Sequence, residues 1–180
     1  MGIKMKAVAM LLLLFTFSIC EAKFLEPNPN RGNVHLRGSI VESACSIDTA
    51  SRYQIISIGH VPIGQLIRDG QSVYQKFSIK LINCTTKRVN PEDPDWQGFT
   101  VTFDGQDKNG LFGVNGSVKG FAFQIVGERG NIAVPGVSMP MKSIKSEGFN
   151  IYYYIRFVGN GEKLEPGEYH STVRYKMDYY

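Results

Sequence analysis

Apolar and polar positions alternate with a period of two along most of this chain, and the clearest case is its end. From Tyr169 onward, Tyr169, Ser171, Val173, Tyr175, Met177 and Tyr179 fall on one side, and Glu168, His170, Thr172, Arg174, Lys176 and Asp178 on the other. Successive side chains of an extended strand point to opposite faces, so this pattern predicts a half-buried β-strand. Similar runs occupy residues 39–45 ("SIVESAC"), 53–58 ("YQIISI"), 76–84 ("KFSIKLINC"), 99–103 ("FTVTF"), 121–126 ("FAFQIV") and 151–158 ("IYYYIRFV"). These are rich in β-branched and aromatic residues, and turn-forming stretches such as "NPEDPD", "DGQDKNG", "GERGN" and "GNGEKLEPGE" punctuate them. Residues 61–70 ("VPIGQLIRDG") have room for one helical turn, but no segment sustains a period of 3.6. The pattern predicts an all-β domain, a sandwich of short strands. It also raises a question: why should the best strand run to the last residue, when free termini usually fray?

The other end has a different texture. Residues 1–6 carry Lys4 and Lys6, residues 7–19 are apolar, and "CEAK" follows. That is the make-up of a secretory signal with cleavage after Ala22. Cys20 would be the acylated residue of a lipoprotein signal, but bulky Ile19 precedes it where a small residue is wanted. The next stretch, "KFLEPNPNRGNVHLRG", opens polar and proline-rich, with little to bury, and is expected to be a mobile arm. Its second half alternates: Gly32, Val34 and Leu36 against Asn33, His35 and Arg37, up to Gly38. The expected organisation is a signal over 1–22, an arm over 23–37 and one domain over 38–180.

Composition narrows the chemistry. Without Lys4, Lys6 and Glu21 the formal charge falls from +4 to +3, and the cations are scattered among acids. A nucleic-acid surface needs a basic run or stripe, and there is none. Loss of Cys20 with the signal leaves Cys45 and Cys84. In an oxidising compartment two cysteines favour a disulfide; as zinc ligands they would lack a second ligand two to four residues away. His35, His60 and His170 are far apart in sequence and have no neighbour at metal-ligand spacing. "DGQDKNG" faintly resembles a calcium loop, yet Gly105 stands where an acid is needed, so a hairpin turn is the simpler reading. The glycines of "GVNGSVKG" lack the Gly-Lys-Ser/Thr of a phosphate cradle. Asn83 and Asn115 open glycosylation sequons, a pattern short enough to arise by chance. Tyr152, Tyr153 and Tyr154 would stack on a sugar, but a strand with one buried face explains them more simply. No nucleophile elbow or carboxylate pair stands out, and the chain is expected to be no enzyme and to use no cofactor or metal.

With these residues in view, the chain resembles the pilin subunits of chaperone–usher fimbriae. "GNVHLRGSIVESACSID" is similar to the start of such subunits, "FSIKLINC" to the strand ending in their second cysteine, and "VTFDG" and "FAFQI" to their core strands. A Gly fourteenth from the C-terminus and a Tyr next to last complete the likeness, here Gly167 and Tyr179. Within the family, "QIISIG", "GERGNIAVPG" and "NGEKLEPGEY" resemble the subunits that terminate and anchor P-type pili.

The resemblance implies an incomplete immunoglobulin-like β-sandwich that lacks its seventh strand and is completed by a strand from another molecule. It implies a groove edged by Gly167, Tyr169, Val173, Tyr175, Met177 and Tyr179, contacted first by a periplasmic chaperone that also takes the Tyr180 carboxylate. It implies a donor segment around residues 28–36, with Gly32, Val34 and Leu36 entering the groove of a neighbouring pilin subunit at an outer-membrane usher. Pro27 and Pro29 lack the N–H that a ladder uses. The implied location is the fimbrium, reached through the periplasm, with no nucleic acid or small-molecule substrate as partner. The alternatives are an ordinary shaft or tip subunit and, less simply, a one-domain sugar-binding adhesin.

Overall fold

The computed structural model describes Gly32 and residues 34–180. The signal, Cys20, the arm up to Arg31, and Asn33 lie outside the described residues. In the unit Met1–Ser39, the described residues form no helix or strand, and Val34 and Leu36 are exposed. The unit Ile40–Tyr180 is all-β with two short helices.

Its larger sheet holds β1 (Ser46–Ile47), β2 (Gln75–Ile82), β8 (Phe149–Gly159), β7 (Phe121–Gly127), β5 (Leu111–Gly113) and β4 (Asp107–Lys108), in the spatial order β1-β2-β8-β7-β5-β4. All the pairings are antiparallel. Asn109 and Gly110 both take positive φ, 55° and 82°, closing the tight β4–β5 hairpin where "DGQDKNG" predicted a turn. The opposing layer centres on β3 (Phe99–Asp104), paired with β10 (Arg174–Tyr179). The other edge of β3 is covered by residues 136–142, whose Met139 and Lys142 amides donate to the carbonyls of Val101 and Phe99 at 2.9 and 2.8 Å. Residues of β6 (Asn115–Gly116) and β9 (Tyr169–His170) form a small third ladder.

Alternation places the core between the layers. Ile151, Tyr153, Ile155 and Phe157 of β8 point inward with Ile79 and Leu81 of β2, to meet Phe99, Val101 and Phe103 of β3. The Tyr153 ring joins the sheets: it stacks on Phe77 at 5.5 Å and meets Phe103 edge-on at 4.9 Å. Such aromatic pairs add about 0.5–1.5 kcal/mol beyond the area they bury. Tyr152 and Tyr154 point outward, Tyr152 beneath the Lys76 ammonium at 3.7 Å and Tyr154 edge-on to Tyr74 at 6.0 Å.

Two predicted strands do not form. Residues 39–45 and 53–58 carry the alternation, and Ile56 and Ile58 do pack against the core, but neither stretch joins a ladder. A strand is a paired structure, and apolar periodicity alone cannot supply the neighbour. The helical turn expected over 61–70 is longer than predicted. The helix α1 (Thr49–Arg52) is capped by Asp48, and α2 (Ile63–Asp69) buries Leu66 and ends at Gly70, left-handed with φ 70°. The closing stretch is interrupted as well, β9 and β10 being separated at Ser171, whose hydroxyl donates to the Gly113 carbonyl at 2.8 Å.

Candidate functional site

β10 is a strand with one neighbour. Along one edge it pairs with β3 in an unbroken register from Arg174↔Asp104 to Tyr179↔Phe99. No strand lies along its other edge among the described residues. The end of the chain is fastened rather than frayed: the Tyr180 amide donates to Gly98 O at 2.9 Å, and the Gln97 and Gly98 amides donate to Tyr180 O at 2.5 and 3.2 Å.

Residues 45–61 form the facing side. Their first part is anchored: the disulfide joins Cys45 to Cys84, the Asp48 amide donates to Lys80 O at 2.9 Å, and the Lys80 amide donates to Ser51 Oγ at 2.9 Å. Beyond α1 the chain leaves the sheet. Residues 53–61 make no backbone–backbone hydrogen bond among those described. Ile56, Ile58 and Val61 pack on the core, whereas Tyr53 and Ile55 are 90% and 98% exposed. Each side of the gap therefore offers unpaired backbone, and the inward residues Val173, Tyr175, Met177 and Tyr179 of the β10 side remain only half-buried. An open edge of this kind is a template for another strand.

Three tyrosines cross the gap. The hydroxyl of Tyr169 donates to Gly59 O at 2.9 Å, that of Tyr175 to Ser51 O at 2.6 Å, and that of Tyr179 to Cys45 O at 3.3 Å. Their rings lie against Phe157 (4.8 Å), Phe103 (6.2 Å) and Phe99 (6.0 Å) respectively. Burial pushes all three phenols above their ordinary range. At the Tyr169 end lies a cavity of about 200 Å³, lined by Gly59, His60, Val61, Leu66, Phe157 and Tyr169 among others. Gly167 borders it too, and a Cβ there would come within 2.5 Å of the Val118 nitrogen and 2.6 Å of the Ser117 carbonyl carbon. Only glycine fits that approach.

No family profile matches the chain. Two curated Escherichia coli proteins do: the PRS and PAP fimbrial minor pilin proteins, each 32% identical over 150 residues, covering 82% of this chain and 77% of the relative. This chain is a fimbrial pilin of the chaperone–usher type. Solved structures agree on the fold. A chaperone–usher pilus aligns with a TM-score of 0.67 at 20% identity, over 84% of this chain and 97% of that one. The P pilus rod subunit PapA aligns at 0.66 and 21%, over 77% of this chain and 100% of that one. The all-β architecture is that of the incomplete immunoglobulin-like sandwich.

In this pilin the residues predicted to edge the groove, Gly167, Tyr169, Val173, Tyr175, Met177 and Tyr179, lie along one side of the gap, and Tyr180 closes the ladder at its end. Gly32, Val34 and Leu36 belong to the other unit of the chain and are exposed. The sequence reading stopped the alternating segment at Gly38. Ile40, on the same parity as Val34 and Leu36, is fully exposed at 106%, and Val41 is 75% exposed. Parity alone would have flagged Ile40. The cross-gap hydroxyl bonds had no sequence signal, because their acceptors are backbone carbonyls.

Proposed function

We propose that this pilin is completed by a β-strand from another protein, and that it is the minor subunit that ends a pilus and anchors it at the outer membrane. One observation carries the strand-addition reading: β10 is paired on one edge only, and residues 53–61 of the side facing it make no backbone–backbone hydrogen bond among those described. Each apolar side chain seated in the gap would stabilise the fold by about 1.5–3 kcal/mol. Each buried backbone group left unpaired costs about 1–3 kcal/mol. Against a typical domain stability of about 5–15 kcal/mol, an empty gap is comparable with the whole. A periplasmic chaperone lends the first strand, with Tyr180 at its basic residues, and the outer-membrane usher is where the subunit joins its neighbour. Gly32, Val34 and Leu36, extended to Ile40, are the residues this pilin inserts into the adjacent subunit's groove.

The two relatives at 32% identity are both minor pilins, which supports a minor subunit; the terminating role rests on the likeness of "QIISIG", "GERGNIAVPG" and "NGEKLEPGEY" to terminating subunits. A specific observation favours a second reading, that of a shaft or tip subunit. The cavity beside Tyr169 has room for a large side chain of an incoming strand. Incubating the chaperone-bound subunit with a synthetic peptide of an alternating donor sequence separates the two. A chaperone complex that persists unchanged, although the refolded chaperone-free chain binds the same peptide, is the result expected of a terminator, which does not exchange its first strand. Release of the chaperone as the peptide enters would assign the subunit to the shaft or tip.

A further inference from the structure

The three hydroxyl bonds across the gap do not follow from the shape of a vacant sandwich. They run in antiparallel order, 169 to 59, 175 to 51 and 179 to 45, so together they span the length of the opening. Two strand spacings amount to about 9.5 Å, the separation of two edges that admit one strand between them. A tyrosine side chain and its hydrogen bond span a distance of that order. Of the acceptors, Gly59 lies in residues 53–61, which make no backbone–backbone bond among those described, and Ser51 and Cys45 lie in the anchored part of the same side. Each phenol is raised by burial, so it stays protonated and donates throughout the neutral range.

We propose that Tyr169, Tyr175 and Tyr179 form a clasp that holds the empty groove shut and that an entering strand must open. The inference rests on the strand-addition reading. Its physical content is competition: the hydroxyls occupy carbonyls on the far side and cross the line a donor backbone would follow. Gly59 O has no other hydrogen bond among those described, whereas Ser51 O also accepts from Gln54 Nε2 at 3.1 Å and Cys45 O from Ser43 Oγ at 3.2 Å, so the tyrosines bridge the gap and do not merely satisfy stranded carbonyls. The clasp also hides an edge that would pair with other chains. It acts on the empty state alone, so these tyrosines are positioning residues for strand entry.

The test compares the unaltered exported chain with Tyr169→Phe/Tyr175→Phe/Tyr179→Phe, each refolded by dilution from denaturant. The probe is a synthetic peptide of this chain's residues 28–42, and uptake is followed by native mass spectrometry against time. Phenylalanine keeps the rings and deletes only the hydroxyls. The clasp predicts uptake about tenfold faster for each hydroxyl removed, the equivalent of about 1.4 kcal/mol per bond. The melting of the peptide-filled chain is expected to stay unchanged, which a general packing role would not leave intact. Tyr152→Phe/Tyr154→Phe, on the outer face, is expected to behave as the unaltered chain. The single variants Tyr175→Phe and Tyr179→Phe give the same comparison should the triple variant fail to refold. Uptake by the variants at the unaltered rate or slower would overturn the clasp, since the bonds would then lie beneath an inserted strand and persist. If no form takes up the peptide and all melt cooperatively alone, the strand-addition reading itself fails.

Discussion

β8 and β10 are written in the same alternating pattern and meet different fates. β8 has a neighbour on both edges, β2 and β7, and its inward residues Ile151, Tyr153, Ile155 and Phe157 are all buried. β10 has β3 on one edge alone, and its inward Tyr175, Met177 and Tyr179 are only half-buried. Periodicity specifies which face a strand turns to the core. How completely that face is covered depends on what lies beside it. The difference locates the incomplete part of the molecule on the side of β10 away from β3.

Truncating one inward side chain in each strand measures the difference. Ile155→Ala in β8 is expected to lower unfolding free energy by about 2–5 kcal/mol, the range for a truncated core isoleucine. Met177→Ala in β10 is expected to cost less than half of that in the lone chain, and to rise into the same range once a donor peptide is bound. Denaturant titrations with and without peptide measure both. Equal losses in the lone chain would mean that the two faces are equally covered.

Removing the disulfide with Cys45→Ser/Cys84→Ser attacks the anchored end of the far side. The bond closes a loop with a sequence separation of 39, and its loss from a small exported domain typically costs about 2–5 kcal/mol. Reduced midpoint in denaturant, together with freer proteolysis near residues 45–61, is the expected result. Gly167→Ala tests the crowded corner beside the gap. Its Cβ would press on the backbone of Ser117 and Val118, and forced overpacking of this kind costs about 1–3 kcal/mol. The expected sign is a lowered melting temperature, with no matching loss for Gly161→Ala beyond its own strain at φ 89°.

The smallest effect is that of pH. Burial raises the phenols of Tyr153, Tyr169, Tyr175 and Tyr179 in the folded chain. Above pH about 10 the unfolded chain loses these protons first and the folded chain keeps them. The unfolded state then binds fewer protons, so stability is full below that pH and declines as pH rises through the folded values. Filling the groove buries Tyr175 and Tyr179 further, so the decline is expected to keep its onset and to extend to higher pH with a larger total loss. Thermal melts across the alkaline range, with and without peptide, report it.

Much of this was legible in the sequence because it depends on local alternation. The inward and outward faces of β8, the tight turn at Asn109 and Gly110, and the split of the closing stretch into apolar and polar sides follow from period and turn chemistry. The missing strands over 39–45 and 53–58 were not legible, since the same letters "YQIISI" would make a strand if a neighbour were present. The break at Ser171 depends on a hydroxyl bond to Gly113, far away in sequence, and the tyrosine clasp depends on where three carbonyls happen to lie. The anchoring of Tyr180 on Gln97 and Gly98 explains why the terminal strand does not fray, and it too is a tertiary contact.

An unpaired far edge of β10 is what makes this sandwich incomplete. Backbone hydrogen exchange of the refolded chain, read residue by residue over 174–179 before and after a donor peptide is added, measures this directly. We expect the amides not bonded to β3 to exchange freely in the lone chain and to become protected when the peptide binds. Full protection throughout β10 in the lone chain, with no change on adding peptide, would contradict it.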